Sequence, residues 1–171
     1  MSFQSTVNVL QGFGVPGEVI LHSPLRAEPL TINSAGATPN VYGYAATKSV
    51  TTNIAKMGGA ITAGTSVFAG IMANPKAARL VGDTNGTLDP TLAIPDQSIA
   101  DFLTMGDIVV SVSTACDIGD LVMYDTTTGA LSTMAPGGTP TAGTAQVPNA
   151  VVYRYPVTAS GGGLTVARLT N

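Results

Sequence analysis

The chain has no tryptophan, one cysteine and one histidine among 171 residues, and only 10% of its residues are charged. Each shortage closes a class of function. A lone thiol, Cys116, cannot form a disulfide within the chain, and with His22 as the only imidazole the common Cys/His zinc sites cannot be assembled. Seven basic residues stand against ten acidic ones, a formal charge of −3 without any basic strip. A nucleic-acid partner, which must neutralise phosphates, is therefore not expected. No membrane partner is expected either. The uncharged stretch Met57–Pro75 is diluted by four glycines, by Thr62, Thr65 and Ser66, and by Asn74-Pro75 at its end, whereas a spanning helix needs about 20 mainly apolar residues. The opening Met1-Ser2-Phe3-Gln4-Ser5-Thr6 has no basic side chain and no apolar block, so export by a signal peptide is not expected.

What is present is neutral and turn-rich. Hydrophobic residues make up 44% of the chain and mean hydropathy is +0.32, with 20 Gly, 11 Pro and 23 Thr. Hydroxyl-bearing residues and turn formers thus replace the usual Lys and Glu, a composition that favours strands over helices. The length suits a single β domain over residues 1–171, with room for an extended N-terminal arm.

Alternating or β-branched runs bounded by Gly, Pro, Asn and Asp mark the strands. They are Thr6–Leu10, Glu18–Leu21, Pro29–Asn33, Ser66–Ala73, Asp107–Ser113, Leu121–Tyr124, Ala130–Thr133, Ala150–Tyr155 and Leu164–Leu169. Between Val41 and Lys56 the pattern is ambiguous, with a weak helical turn suggested by Ala45, Ala46, Ile54 and Ala55. A helical turn is also possible at Lys76–Leu80 behind Pro75, and Gly137–Val147 reads as a long Pro/Gly/Thr loop. About eight or nine short strands joined by long loops predict an all-β fold, a β-sandwich or a jelly-roll-like barrel.

Chemical motifs are few. Gly12-Phe13-Gly14-Val15-Pro16-Gly17 matches G-x-G-x-x-G, yet Glu18-Val19-Ile20-Leu21 follows where a phosphate-binding helix should start, so a turn or bulge is the reading. His22 has no accompanying triad motif, and Cys116 beside Asp117 and Asp120 lacks the basic surroundings of a reactive thiol. Asp83-Thr84-Asn85-Gly86-Thr87-Leu88-Asp89 offers oxygen ligands without EF-hand spacing, so an Asn-Gly turn is preferred over a weak calcium site. Asp117 with Asp120, or Asp96 with Asp101, could be imagined as carboxylate pairs for glycoside chemistry, but the aromatic platforms that hold sugars are scarce. No catalytic residue, cofactor or metal is expected.

Charge is segregated. From Asp83 to Asp125 there are eight aspartates and no Lys or Arg, while residues 1–82 carry five basic side chains against two acidic ones. Such segregation can supply complementary patches to a neighbouring subunit. The preferred reading is aspartate's use as a turn residue at loop tips between strands.

Three stretches resemble the cement or decoration proteins of tailed bacteriophage capsids. They are Val67-Phe68-Ala69-Gly70-Ile71-Met72-Ala73-Asn74-Pro75-Lys76, then Ile99 to Val110 with Asp101-Phe102-Leu103-Thr104-Met105-Gly106-Asp107, then Ile118-Gly119-Asp120-Leu121-Val122-Met123-Tyr124 running into Gly129-Ala130-Leu131. Gly14-Val15-Pro16-Gly17 is similar as well. The resemblance implies a virion structural protein, not an enzyme, assembled in the host cytoplasm onto the capsid exterior. Its partners would be the major capsid protein, bound at capsomer junctions, and itself as a homodimer or homotrimer. The candidate contact residues are Asp96, Asp101 and Asp107 from the acidic segment, with Tyr153 and Tyr155, whose spacing predicts one shared strand face. The alternative is a glycan- or cell-surface-binding β-sandwich, an adhesin or fibre tip, using Tyr42, Tyr44, Tyr153 and Tyr155 or a calcium site.

Overall fold

The computed structural model describes residues 14–36, 39–75 and 93–170. Within them are twelve strands and no helix: β1 (Val19–Ile20), β2 (Arg26–Thr31), β3 (Asn40–Val41), β4 (Ala45–Ser49), β5 (Ala55–Met57), β6 (Ser66–Met72), β7 (Ala93–Ile94), β8 (Ile99–Val112), β9 (Leu121–Asp125), β10 (Leu131–Met134), β11 (Thr144–Arg154) and β12 (Gly163–Leu169). The strand expected at Thr6–Leu10, the helical turn at Lys76–Leu80 and the Asp83–Asp89 loop lie outside the described residues. The all-β expectation holds, and the barrel form prevails.

Five strands close on themselves. The order β10-β9-β11-β12-β8 is antiparallel throughout, and a parallel contact of Leu131 with Val112 joins β10 back to β8. The Ser113 N–H donates to the Leu131 carbonyl at 3.0 Å across this seam. Closure leaves these strands no open edge, so their backbone donors and acceptors are used internally. Inward residues at alternate positions, among them Ile108, Val110 and Val112 of β8, Val122 and Tyr124 of β9, and Ala167 and Leu169 of β12, fill the interior.

A second sheet grows from the other half of β8. Ile99–Met105 pairs with β2, Leu103 and Phe102 pair with β6, and β4 and β5 follow. This sheet also curls round, because Ile32 after β2 bridges Ala55 of β5 and the Asn33 N–H donates to the Ala55 carbonyl at 2.8 Å. Its two faces are both covered. Ala45, Ile71 and Leu103 join the barrel core, whereas their neighbours Ala46, Met72 and Phe102 join a second core with Leu30, Ile32 and Met57. Consecutive buried residues in one strand are the mark of a sheet packed on both sides. This explains the helical hint at Ala45 and Ala46, which is overturned: two adjacent small apolar residues serve two different cores, one on each side of β4. The cores are stitched together where the Tyr124 hydroxyl donates to the Gly59 carbonyl at 2.9 Å and the Phe68 and Tyr124 rings lie 6.3 Å apart.

β8 serves both sheets because it turns at Gly106. There φ is +130°, a region closed to residues with a Cβ, and Leu25 Cδ1 would lie 3.1 Å from an added methyl. Read as sequence, Gly106 looks like punctuation, so only the second half of this 14-residue strand was expected. β11 is longer than expected for a similar reason. It starts at Thr144, inside the anticipated loop, and passes through Pro148 by means of a register shift between Gln146 and Val151. Proline is tolerated there because a bulge needs no ladder donor at that position.

One loop bundle closes the second sheet from below. Asp96, between β7 and β8, accepts from the Ser34 N–H at 2.8 Å, the Gly36 N–H at 2.8 Å and the Asn40 side-chain amide at 2.9 Å. Asn40 is buried, and Ser34 Oγ donates to it at 2.6 Å while accepting from the Met57 N–H at 3.0 Å. The Asn40 amide, followed by the Ser34 and Gly36 N–H groups, holds the Asp96 carboxyl below its ordinary value.

Two consequences are measurable. Gly70 in β6 has φ +140°, and a methyl there would meet the Leu103 carbonyl oxygen at 2.6 Å. Gly70→Ala should cost about 2–4 kcal/mol in denaturant unfolding, from overpacking and an unfavourable φ together. Gly161→Ala, with nothing within 4 Å of the added methyl, should change stability by less than ~0.5 kcal/mol. Because the Asp96 pKa is depressed in the folded chain, its contribution is present above the ordinary carboxylate range and lost as pH falls through the folded value. Asp96→Asn should therefore destabilise by about 1–2 kcal/mol at pH 7. The gap to the unsubstituted chain, followed by thermal melts, should shrink steadily below about pH 4.

Candidate contact surface

β11 and β12 run side by side on the barrel wall, with Val151 opposite Arg168 and Val152 opposite Ala167. Val152 and Ala167 point into the core, so Arg168 faces outward. On its other side Arg168 is opposite Asp107 of β8, across two strands that came together from 61 residues apart. The guanidinium grips the carboxylate through both forks, Nε to Oδ1 at 2.7 Å and Nη2 to Oδ2 at 2.8 Å. Asp107 is 2% exposed, and its carboxylate raises the Arg168 pKa further, so the guanidinium stays charged at any working pH.

The next residue along β11 departs from the ladder. Register jumps from Val152 to Arg154, leaving Tyr153 as the extra residue of a bulge. Its ring centroid lies 3.4 Å from the Arg168 guanidinium carbon and 4.8 Å from that of Arg154. A cation over a ring face is attracted by the ring quadrupole. The two guanidinium groups, Arg154 first and Arg168 second, lower the Tyr153 phenol pKa.

Tyr155 then stands at φ +59°, a left-handed conformation that costs a bulky side chain roughly 1–3 kcal/mol. The chain is fixed on both sides of it. Thr165 Oγ1 donates to the Arg154 carbonyl at 2.8 Å, and Val157 exchanges two backbone bonds with Cys116, at 2.8 and 2.9 Å. The Tyr155 side chain is 47% exposed. Beside this wall is a groove of about 420 Å³, lined by His22, Ser23 and Pro24 of the β1–β2 loop and by Gly106, Asp107 and Arg168. The same loop carries Leu21 and Leu25, 78% and 45% exposed, and Ser23 Oγ is buried without a hydrogen-bond partner among the described residues.

Of the five candidate contact residues, Asp107 and Tyr153 meet through Arg168 on one wall, and Tyr155 follows just past the end of β11. Asp96 belongs to the loop bundle under the second sheet, and Asp101 is exposed on β8 opposite Pro29. The shared face expected of Tyr153 and Tyr155 is overturned: the bulge and the left-handed residue break the two-residue period between them. Sequence reasoning missed Arg154, Arg168, Leu21 and Leu25. A signal existed for the arginines, which are the only basic residues after Asp125.

The acidic segment proves to be mixed. Asp125 caps its own turn by accepting from the Thr127 and Thr128 N–H groups, which lower its pKa, and Asp120 accepts from the Asp117 N–H. Together with Asp96 and Asp107, four of the six described aspartates serve the chain's own backbone or its own arginine. Among the described residues no three His, Cys, Asp or Glu side chains gather as a metal site would require, and Cys116 is a buried free thiol. The G-x-G-x-x-G glycines Gly14 and Gly17 lead into β1, with no helix following.

No curated protein matches the chain. Among solved structures, a chain from the capsid of Myoviridae phage XM1 has the same fold, with a TM-score of 0.67 at 19% identity over 100% of this chain and 99% of that one. The family model described as structural cement protein (E217 gp24/Pam3 gp6) matches residues 3–170. With all twelve described strands inside that match, the chain belongs to the phage structural cement protein family.

Proposed function

We propose that this cement protein binds the outer face of the assembled capsid at capsomer junctions and holds neighbouring capsomers together as a homodimer or homotrimer. The observation that carries this reading is the family match along residues 3–170, whose family is structural and not enzymatic. The fold supports it physically. A closed barrel resists pulling without a free edge to unzip, and its contacts must be made by side chains and loops instead of added strands. A sparsely charged surface is inexpensive to desolvate, since few ions need compensation on docking.

Retention would come from multivalency. Once one subunit of an oligomer is seated, the next contact is intramolecular at an effective concentration in the millimolar range, which raises avidity by about 10²–10⁴-fold. Modest contacts then suffice to hold a shell under internal pressure. The glycan-binding alternative is left with Tyr155 alone as a half-exposed ring without a second beside it to form a platform. Tyr42 and Tyr44 pack against the second core and Tyr153 is occupied by two guanidinium groups.

Shells assembled without the cement protein should pull down the full chain on sedimentation, whereas free capsid subunits should not. Images of the decorated particles should show it between capsomers, and the rupture temperature of the shell should rise. Density confined to capsomer centres, or equal binding to free subunits, would overturn the reading. Light scattering of the free protein should give a multiple of 17.2 kDa, and the monomer mass at micromolar concentration would remove the oligomer.

A further inference from the structure

Resting on that reading, we propose that the end of β11 at Tyr153, Arg154 and Tyr155, with the groove that it adjoins through Arg168, is the face that seats the protein on its shell, and that its occupant is an acidic segment of the capsid subunit. The charges on this wall select that partner. Arg168 is neutralised by Asp107, and Arg154 forms no ion pair among the described residues. It is held over the Tyr153 ring, exposed, as the excess positive charge of the wall. Of the exposed aspartates, Asp101 lies in the other half of β8, beside β2, and Asp117 lies next to Cys116, which bridges Val157. A carboxylate approaching from outside would therefore meet a cation already ordered by its neighbour, so little side-chain freedom is lost on contact.

The backbone points to the same face. Tyr155 is kept in a strained conformation by bonds to Arg154 and Val157 on either side, and its ring remains half exposed. Glycine at this position would relieve the strain. Strain that the surrounding structure imposes on an exposed side chain marks a group presented for contact. Tyrosine and arginine are the residue types that dominate binding interfaces, and apolar neighbours that exclude water strengthen them. Leu21 and Leu25, exposed on the β1–β2 loop on the far side of the Arg168–Asp107 pair, add apolar area to the contact.

The test separates contact from stability. Full-length chains carrying Tyr155→Gly, Arg154→Glu or Leu21→Ser are compared with the unsubstituted chain in thermal melts and in sedimentation with cement-free shells at low and high salt. Tyr155→Gly should melt no lower than the unsubstituted chain yet bind shells at least tenfold more weakly. Arg154→Glu should weaken binding about tenfold at low salt, with the deficit narrowing as salt is raised. Leu21→Ser, at a site too exposed to disturb folding, should weaken binding severalfold without salt dependence. Binding of all three variants within twofold of the unsubstituted chain would overturn the proposal while leaving the capsid function intact. So would a Tyr155→Gly chain that melts lower, or an Arg154→Glu chain whose solution mass falls, which would make a second copy the occupant. Failure of the unsubstituted chain to bind shells would instead overturn the function on which the proposal rests.

Discussion

One strand bears the whole molecule. β8 runs 14 residues without interruption, and its first half is laddered to β2 and β6 while its second half is laddered to β12 and β1. Two closed sheets can share a strand only if that strand changes direction between them without losing hydrogen bonds. Gly106 permits the change, and the next residue, Asp107, is locked at once to Arg168. Removing Arg168 would leave the buried Asp107 carboxylate uncompensated in the wall. The ion pair thus does more than hold β12: it sets the point at which one sheet hands β8 to the other.

From that handover follow both cores. β6 and β4 are buried on both faces, with Ile71 and Ala45 facing the barrel interior and Met72 and Ala46 facing the second core. Thr47, fully buried, can sit between them because its hydroxyl donates to the Gly58 carbonyl at 2.7 Å. The turn between β9 and β10 is tied down by the same neighbourhood, with the Ala45 N–H donating to the Gly129 carbonyl at 2.9 Å and the Gly58 N–H to the Ala45 carbonyl at 2.9 Å. Such stitching joins the barrel to the second sheet through backbone bonds, which no single surface substitution can remove.

Strand existence was legible wherever local pattern and tertiary burial agree, as in Leu121–Tyr124 and Leu164–Leu169, where β-branched and aromatic residues meet a one-sided or fully buried environment. It failed where a glycine or proline lies inside a strand, at Gly106 and Pro148, because these residues are read as breaks unless the bend or bulge they permit is known. It failed also around Ala45, where the two-sided burial is a property of neighbours far along the chain. The contact wall was legible in kind and illegible in arrangement. Tyr153, Tyr155 and Asp107 were visible as interface types, but the partner of Asp107 is 61 residues away and the bulge at Tyr153 depends on the register of β12. Leu21 and Leu25 flank a histidine in a loop, where periodicity offers no face to assign.

The acidic segment shows why charge counts alone mislead about contact chemistry. Eight aspartates without a basic residue suggest a negative face, yet Asp96 and Asp125 are turned toward backbone N–H groups and Asp107 is buried against Arg168. A carboxylate engaged in this way presents little field outward, because its charge is already met by local dipoles or a cation. The wall that gathers arginine and tyrosine is then less opposed by negative charge than the composition predicts. A chain of net charge −3 can therefore carry a positive docking face, provided its acids are used to build the scaffold that holds that face rigid.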